Sequence, residues 1–210
     1  MSHPDVINLL MGDRSRYEII PLGTNCAPSH FLRAIGLRTT ALPFDWNVTP
    51  VRTSIELIKN GFSDFFDIGN LIFLPPVFRL LFDEKGVELE MKNDIITPVV
   101  CRKYNMLFPH DLPEDYRKSI DDVKEKYSRR IARLSELLHS DRHLIFVHHD
   151  ERLNDWQESQ YMASLNRRFI NPHATWKKDL SAVLDEQYPV PGYSLLELSE
   201  FRSIIEGFCR

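Results

Sequence analysis

The stretch Tyr17-Glu18-Ile19-Ile20-Pro21-Leu22-Gly23-Thr24-Asn25-Cys26-Ala27-Pro28 decides how this chain folds. Its first six residues read as a short buried strand, and Gly23-Thr24-Asn25 is a turn signal. Pro28 then falls where a first helical turn tolerates proline, because the N–H it lacks has no helical partner there. Phe31, Leu32, Ile35 and Leu37 continue an apolar face, and Gly36 is a natural stop. The segment is therefore strand, turn, helix, with Cys26 at the helix N-terminus.

Outward from that segment, strands and helices alternate. Thr40-Ala41-Leu42-Pro43-Phe44-Asp45-Trp46 is extended or loop-like. Thr49-Pro50 reads as an N-cap followed by proline at the first helical position, opening a helix toward Gly61. Residues 78–91 read as a hairpin around Asp83-Glu84-Lys85-Gly86. Residues 99–108 read as a strand that stops at Pro109-His110-Asp111. Ile120, Val123, Tyr127, Ile131, Leu134 and Leu138 repeat at helical spacing, the clearest amphipathic helix in the chain. Its other face carries Lys124, Lys126, Arg129, Arg130 and Arg133, a pattern that usually marks a solvated face. Residues 143–148 read as a buried strand. Helices are expected at 157–169 and 176–184, a turn at 189–192, and a last strand at 193–198. This order predicts an α/β or α+β fold, a single domain over 1–210 with a central sheet flanked by helices. Residues 1–15 form an N-terminal extension and 78–91 a hairpin insertion.

The chain has 210 residues, with 26 Lys and Arg against 30 Asp and Glu, a net charge of −4. That balance lacks the basic excess of a nucleic-acid binder. The longest apolar run, 71–78, is too short to cross a bilayer. Asp5 and Asp13 interrupt the start of the chain, so no secretory signal is read there. Neither nucleic acid nor membrane is an expected partner. Cys26, Cys101 and Cys209 are too scattered for a disulfide framework or a zinc pair, and the expected compartment is the reducing cytoplasm.

Among the three thiols, only Cys26 occupies a position with chemical meaning. A helix N-terminus favours the thiolate, and backbone N–H groups of Gly23, Thr24, Asn25 and Cys26 can hold a developing oxyanion. The Asn25 side chain offers a further donor. The competing reading is a small buried apolar residue, the commonest role of free cysteine. A nucleophile needs a base, and His110 ends an apolar segment beside Asp111. Asp45, between Phe44 and Trp46, can orient a histidine, or it can cap a loop that the two aromatics anchor. Asp111 faces away from His110 on a regular strand, unless Pro109 has already ended that strand. His143, His148 and His149 match no zinc spacing, so neither metal nor cofactor is expected.

The block 19–28, the run Leu32-Arg33-Ala34-Ile35-Gly36-Leu37-Arg38, and Pro43-Phe44-Asp45-Trp46 together resemble a family of uncharacterised proteins described as papain-like cysteine peptidases. Phe108-Pro109-His110-Asp111 and Tyr127-Ser128-Arg129-Arg130-Ile131 are similar to the same family. The likeness covers most of residues 17–147. It implies Cys26 as nucleophile, His110 as base, and a papain-like arrangement. The third member is open among Asp45, Asp111 and Asp150, with Asp45 and Asp111 belonging to the motifs. The implied activity is hydrolysis or acyl transfer through an acyl-enzyme, on a peptide or another acyl- or amide-bearing substrate. Two other readings stand beside it. One is a non-enzymatic module that binds an anion at the turn, with Asn25, Arg33 and Arg38 as ligands. The other is an α/β hydrolase or transferase with Cys26 at the end of a first parallel strand, which strand order would separate from the papain arrangement.

Overall fold

The expected first strand forms as β1 (Tyr17–Pro21), and its neighbour is the strand expected at 143–148, β8 (His143–His148). The two run parallel with Tyr17 opposite His143 and Pro21 opposite Val147. β9 (Tyr193–Glu197) pairs parallel on the far side of β8, giving the order β1-β8-β9. In this computed structural model, residues 3–12, 15–38, 40–78, 81–82, 88–89, 95–149 and 173–208 are described. The helix expected at 157–169, Asp150 and Cys209 lie outside the described residues.

Side chains alternate across a strand, and here both faces are buried, which is why β1 and β8 read as nearly unbroken apolar runs. Ile19, Ile145, Val147 and Leu196 point into one core. Against them pack Val6 and Leu9 of α1 (Pro4–Leu10), Leu32 of α2 (Ala27–Ala34), and Phe201 and Ile205 of α6 (Leu198–Phe208). Ile20, Leu144 and Phe146 point into a second core. That core takes Leu57 and Ile58 of α3 (Val51–Lys59), Leu134 and Leu138 of α4 (Ile120–Leu138), and Leu180 and Leu184 of α5 (Trp176–Gln187). The parallel sheet thus has helices on both faces, the arrangement that the α/β reading expects.

A second, antiparallel sheet lies in the long connection between β1 and β8. β2 (Leu71–Phe73), β3 (Val77–Phe78) and β7 (Met106–Pro113) all pair with β6 (Ile95–Cys101). β4 (Leu81–Phe82) and β5 (Glu88–Leu89) form the expected hairpin, with Leu81 opposite Leu89. The fold is therefore mixed: a helix-flanked parallel sheet with an antiparallel sheet beside it.

Three of the expected elements take another form in the structure, for readable reasons. The strand expected at 99–108 is two strands, turning at Asn105, whose φ of +51° a short polar side chain tolerates. Nor does Pro109 end the second of them. The four-residue step from Phe108 to Leu112 on β7 faces a two-residue step from Val99 to Thr97 on β6. Residues 109–111 bulge out, and the missing N–H of Pro109 falls where the ladder is already broken. Pro50, not Thr49, is the residue before the first turn of α3. Thr49 is engaged elsewhere, as described below. The basic face of α4 is only partly solvated. Arg130 is buried with its guanidinium 5.1 Å from the Tyr127 ring centroid, and Lys126 pairs with Asp111. Among the described residues no helix is long and apolar enough to cross a membrane.

Candidate active site

Gly23, Thr24, Asn25 and Cys26 form one turn between the C-terminal end of β1 and α2. Gly23 has φ +92° and Thr24 φ +77°. A Cβ on Gly23 would stand 3.0 Å from Thr49 Cβ and 3.2 Å from the Thr49 carbonyl oxygen, so glycine is required for space as well as for φ. The turn is tied down from several directions. Leu22 N–H donates to the Val147 carbonyl at 2.9 Å, continuing the β1–β8 ladder. The Ser54 hydroxyl donates to the Leu22 carbonyl at 2.6 Å. The next rung would carry Thr24 N–H to the His149 carbonyl. The left-handed backbone instead sends that N–H to the Thr49 carbonyl, at 2.9 Å. The Thr24 hydroxyl takes over the rung and donates to the His149 carbonyl.

The Asn25 side chain closes an Asx turn just before α2. Its Oδ1 accepts the Ala27 N–H at 2.9 Å, which orients the carboxamide and leaves its nitrogen as the donor that the expectation needs. The Thr24 N–H, expected to hold an oxyanion, is spent on the Thr49 carbonyl, while none of these bonds consumes the backbone N–H of Asn25 or Cys26. Cys26 is the residue before the first turn of α2, with proline inside that turn, and it is half-buried. The helix N-terminus was expected to favour the thiolate. Burial is the larger effect and pushes the thiol up, only partly offset by its own backbone N–H. The resting thiol is therefore protonated at neutral pH, and attack requires a base.

The Pro43-Phe44-Asp45-Trp46 segment lies under this turn as a scaffold. Asp45 Oδ2 accepts from Leu42 N–H at 2.8 Å and from Arg38 Nε at 3.2 Å. Phe44 is fully buried, and Arg38 lies 4.9 Å from the Trp46 ring centroid. Asn47 Nδ2 donates to the Pro43 carbonyl at 2.6 Å, and the Thr49 hydroxyl donates to Asn47. The chain of contacts ends at the Thr49 carbonyl that receives Thr24. Asp45 thus fastens a loop through Arg38, the arginine expected to bind an anion in the module reading.

His110 and Asp111 stand on the β7 bulge, in the second sheet. Asp111 accepts from the Tyr127 hydroxyl at 2.8 Å and pairs with Lys126, joining β7 to α4. Burial and the neighbouring Asp111 carboxylate push the Tyr127 phenol well up, so it stays a donor. The Gly23–Cys26 turn and the bulge are connected at one remove, because Val48 pairs with Leu107 and Thr49 with Thr24.

One further residue meets the turn without having been singled out for it, and two more hold that residue in place. His148, the last residue of β8, is 1% exposed. Its Nδ1 lies 2.9 Å from Glu197 Oε2, and its Nε2 lies 3.4 Å from Thr24 Oγ1. The carboxylate is acceptor-only when ionised, so Nδ1 donates to it, and the Thr24 oxygen, whose own proton goes to the His149 carbonyl, can only accept from an Nε2–H. Glu197 ends β9, and its Oε1 accepts from Trp176 Nε1 at 2.7 Å. The only signal in the sequence was position, since His148 and Glu197 each close a strand. In α/β sheets, ligands bind outside the carboxyl ends of the strands. At the opposite end of the sheet, Ser194 Oγ lies 3.0 Å from His143 Nε2 but donates to Asp5 at 2.8 Å, so that histidine is not placed to activate it. A groove of about 600 Å³ between Tyr17, Glu18, Leu37, Arg133 and Arg142 also lies away from Cys26. No three His, Cys, Asp or Glu side chains gather in a metal-holding group among the described residues.

A family model described as "Putative papain-like cysteine peptidase" matches residues 17–181. The chain belongs to this family. The match takes in the Gly23–Cys26 turn, the β7 bulge, α4 and β8, and stops short of Glu197. A relative, "Uncharacterized protein R408" of Acanthamoeba polyphaga mimivirus, is 29% identical over 140 residues. Those residues are 64% of this chain and 62% of the relative, so the chain spans less than two thirds of that protein. No solved structure matches this member of the papain-like peptidase family.

Proposed function

We propose that the protein is a cysteine-dependent hydrolase or acyltransferase, with Cys26 as its nucleophile. The observation that carries this reading is the place of Cys26: a half-buried thiol at a helix N-terminus, on a tightly fastened turn at the carboxyl end of a parallel strand. The family description supports thiol chemistry, and a peptide or another amide-bearing molecule is the proposed substrate. The parallel order supports an α/β scaffold for that chemistry. A reducing cytoplasm suits a free thiol.

In this mechanism a histidine takes the Cys26 proton, the sulfur bonds to the substrate carbonyl carbon, and the oxygen gains the charge. Backbone N–H groups of Asn25 and Cys26, with the Asn25 carboxamide, stabilise it. The amine leaves with the proton, and water or an acceptor amine then cleaves the thioester. His110 is the proposed base. Asp45 and Asp111, the proposed third members, are bonded to Arg38 and to Tyr127 and Lys126, and act through their loops.

p-Nitrophenyl acetate tests the reading without a known substrate. The expected result is a burst of nitrophenolate and one acetyl group on Cys26 by mass spectrometry, absent in Cys26→Ala and slower in His110→Gln. Acetylation spread equally over Cys26 and Cys101 would sink the proposal. An anion-binding module, by contrast, would keep its ligand in Cys26→Ala.

A further inference from the structure

We infer that His148, Glu197 and Trp176 form a clamp that positions the nucleophile turn through the Thr24 hydroxyl. The inference rests on the reading of Cys26 as nucleophile. It is carried by geometry at the ends of three neighbouring strands. Thr24 is fully buried in a left-handed conformation, which is unfavourable for a β-branched residue. Its backbone N–H is turned away from β8, and its hydroxyl replaces that N–H on the His149 carbonyl. Two bonds therefore hold Thr24 in this conformation, the N–H on Thr49 and the hydroxyl aimed at β8.

His148 supplies that aim. Its Nε2 lies 3.4 Å from Thr24 Oγ1, and the ring is fixed at its other end by the 2.9 Å bond from Nδ1 to Glu197. Glu197 is fixed in turn by the Trp176 indole, whose ring centroid stands 5.2 Å from that of His148. Burial of Glu197 acts against its charge, but bonds from His148 and Trp176 hold the carboxyl below its ordinary range. A buried polar network of this kind is a weak source of net stability, and its usual return is geometric. Here the geometry delivered is that of Asn25 and Cys26, the next two residues of the chain and the proposed oxyanion donors. His148 and Thr24 are thus positioning residues; they act on the reaction through the turn.

The test separates positioning from folding by using two reagents on Cys26. A peptide aldehyde adds the thiol across its C=O: the S–C bond forms, the thiol proton passes through the base, and the oxygen occupies the oxyanion position. Iodoacetamide alkylates the same sulfur, releasing iodide, and uses no oxyanion donors. Thr24→Val and His148→Gln are expected to weaken aldehyde inhibition tenfold or more, while alkylation of Cys26 stays within about twofold of the unaltered protein. Thr24→Ser, which keeps the hydroxyl, should restore most of the aldehyde affinity lost in Thr24→Val. Unchanged aldehyde inhibition in both variants overturns the clamp while leaving Cys26 as nucleophile. Equal losses with both reagents, not rescued by serine, would mean a structural role only. Failure of the unaltered protein to bind the aldehyde through Cys26 would overturn both proposals.

Discussion

At Gly23 two independent demands meet in one residue. The φ of +92° disfavours any side chain, and the Thr49 wall 3.0 Å away leaves no room for one. Gly23→Ala should cost about 1–3 kcal/mol, since the left-handed strain is not offset by any new contact. Urea unfolding would read this directly, and an unchanged midpoint would show that the turn relaxes. Cys26 illustrates the opposite case, in which a residue type is legible but its protonation is not. The helix N-terminus is visible in the sequence through Pro28, and it argues for a thiolate. The desolvation that outweighs it depends on how deeply the folded chain buries the sulfur. Thr49 is a similar case: Thr-Pro reads as a cap, but its carbonyl and hydroxyl serve Thr24 and Asn47 instead.

Among the elements, β1, α2, α4, β8 and β9 were legible because each buries a periodic or continuous apolar pattern. α4 runs from Ile120 to Leu138, as its 3- and 4-residue spacing predicts. β7 was legible only in part, because a bulge is set by pairing with β6 and leaves no mark in β7 alone. α6 was missed, although Leu198, Phe201 and Ile205 share a helical spacing, because the stretch expected as strand at 193–198 ran into it. That helix covers one face of the parallel sheet with Phe201, which is 0% exposed. Phe201→Ala should remove about 3–5 kcal/mol of stability through lost burial and the cavity left behind. A loss below 1 kcal/mol in urea unfolding would mean that α6 contributes little to that face.

Across the whole molecule, the parallel sheet gathers residues from three remote parts of the chain, and their charges become interdependent. Glu197 titrates below its ordinary range despite burial, because His148 and Trp176 bond its charged form. Such a group contributes its stability in full above the unfolded carboxyl value, about 4.3, and loses it as pH falls through the lower folded value. Protein carrying Glu197→Gln should therefore be less stable than the unaltered protein at pH 6, with the gap closing below about pH 4. Melting temperatures measured from pH 3 to 7 would show it, and a gap that widens on acidification would contradict the assigned direction.

The sequence by itself determined the strand–turn–helix that presents Cys26, because glycine, proline and apolar spacing act over a few residues. It determined the long helix and the buried strands in the same way. Only the tertiary structure decided which carboxylate holds which partner: Asp45 takes Arg38, Asp111 takes Tyr127 and Lys126, and Glu197 takes His148. It also decided that Thr24 meets His148, 124 residues away in sequence. Local patterns cannot carry such pairings, because hydrogen bonds and buried charges depend on strand order and register, which are settled only when remote segments pack.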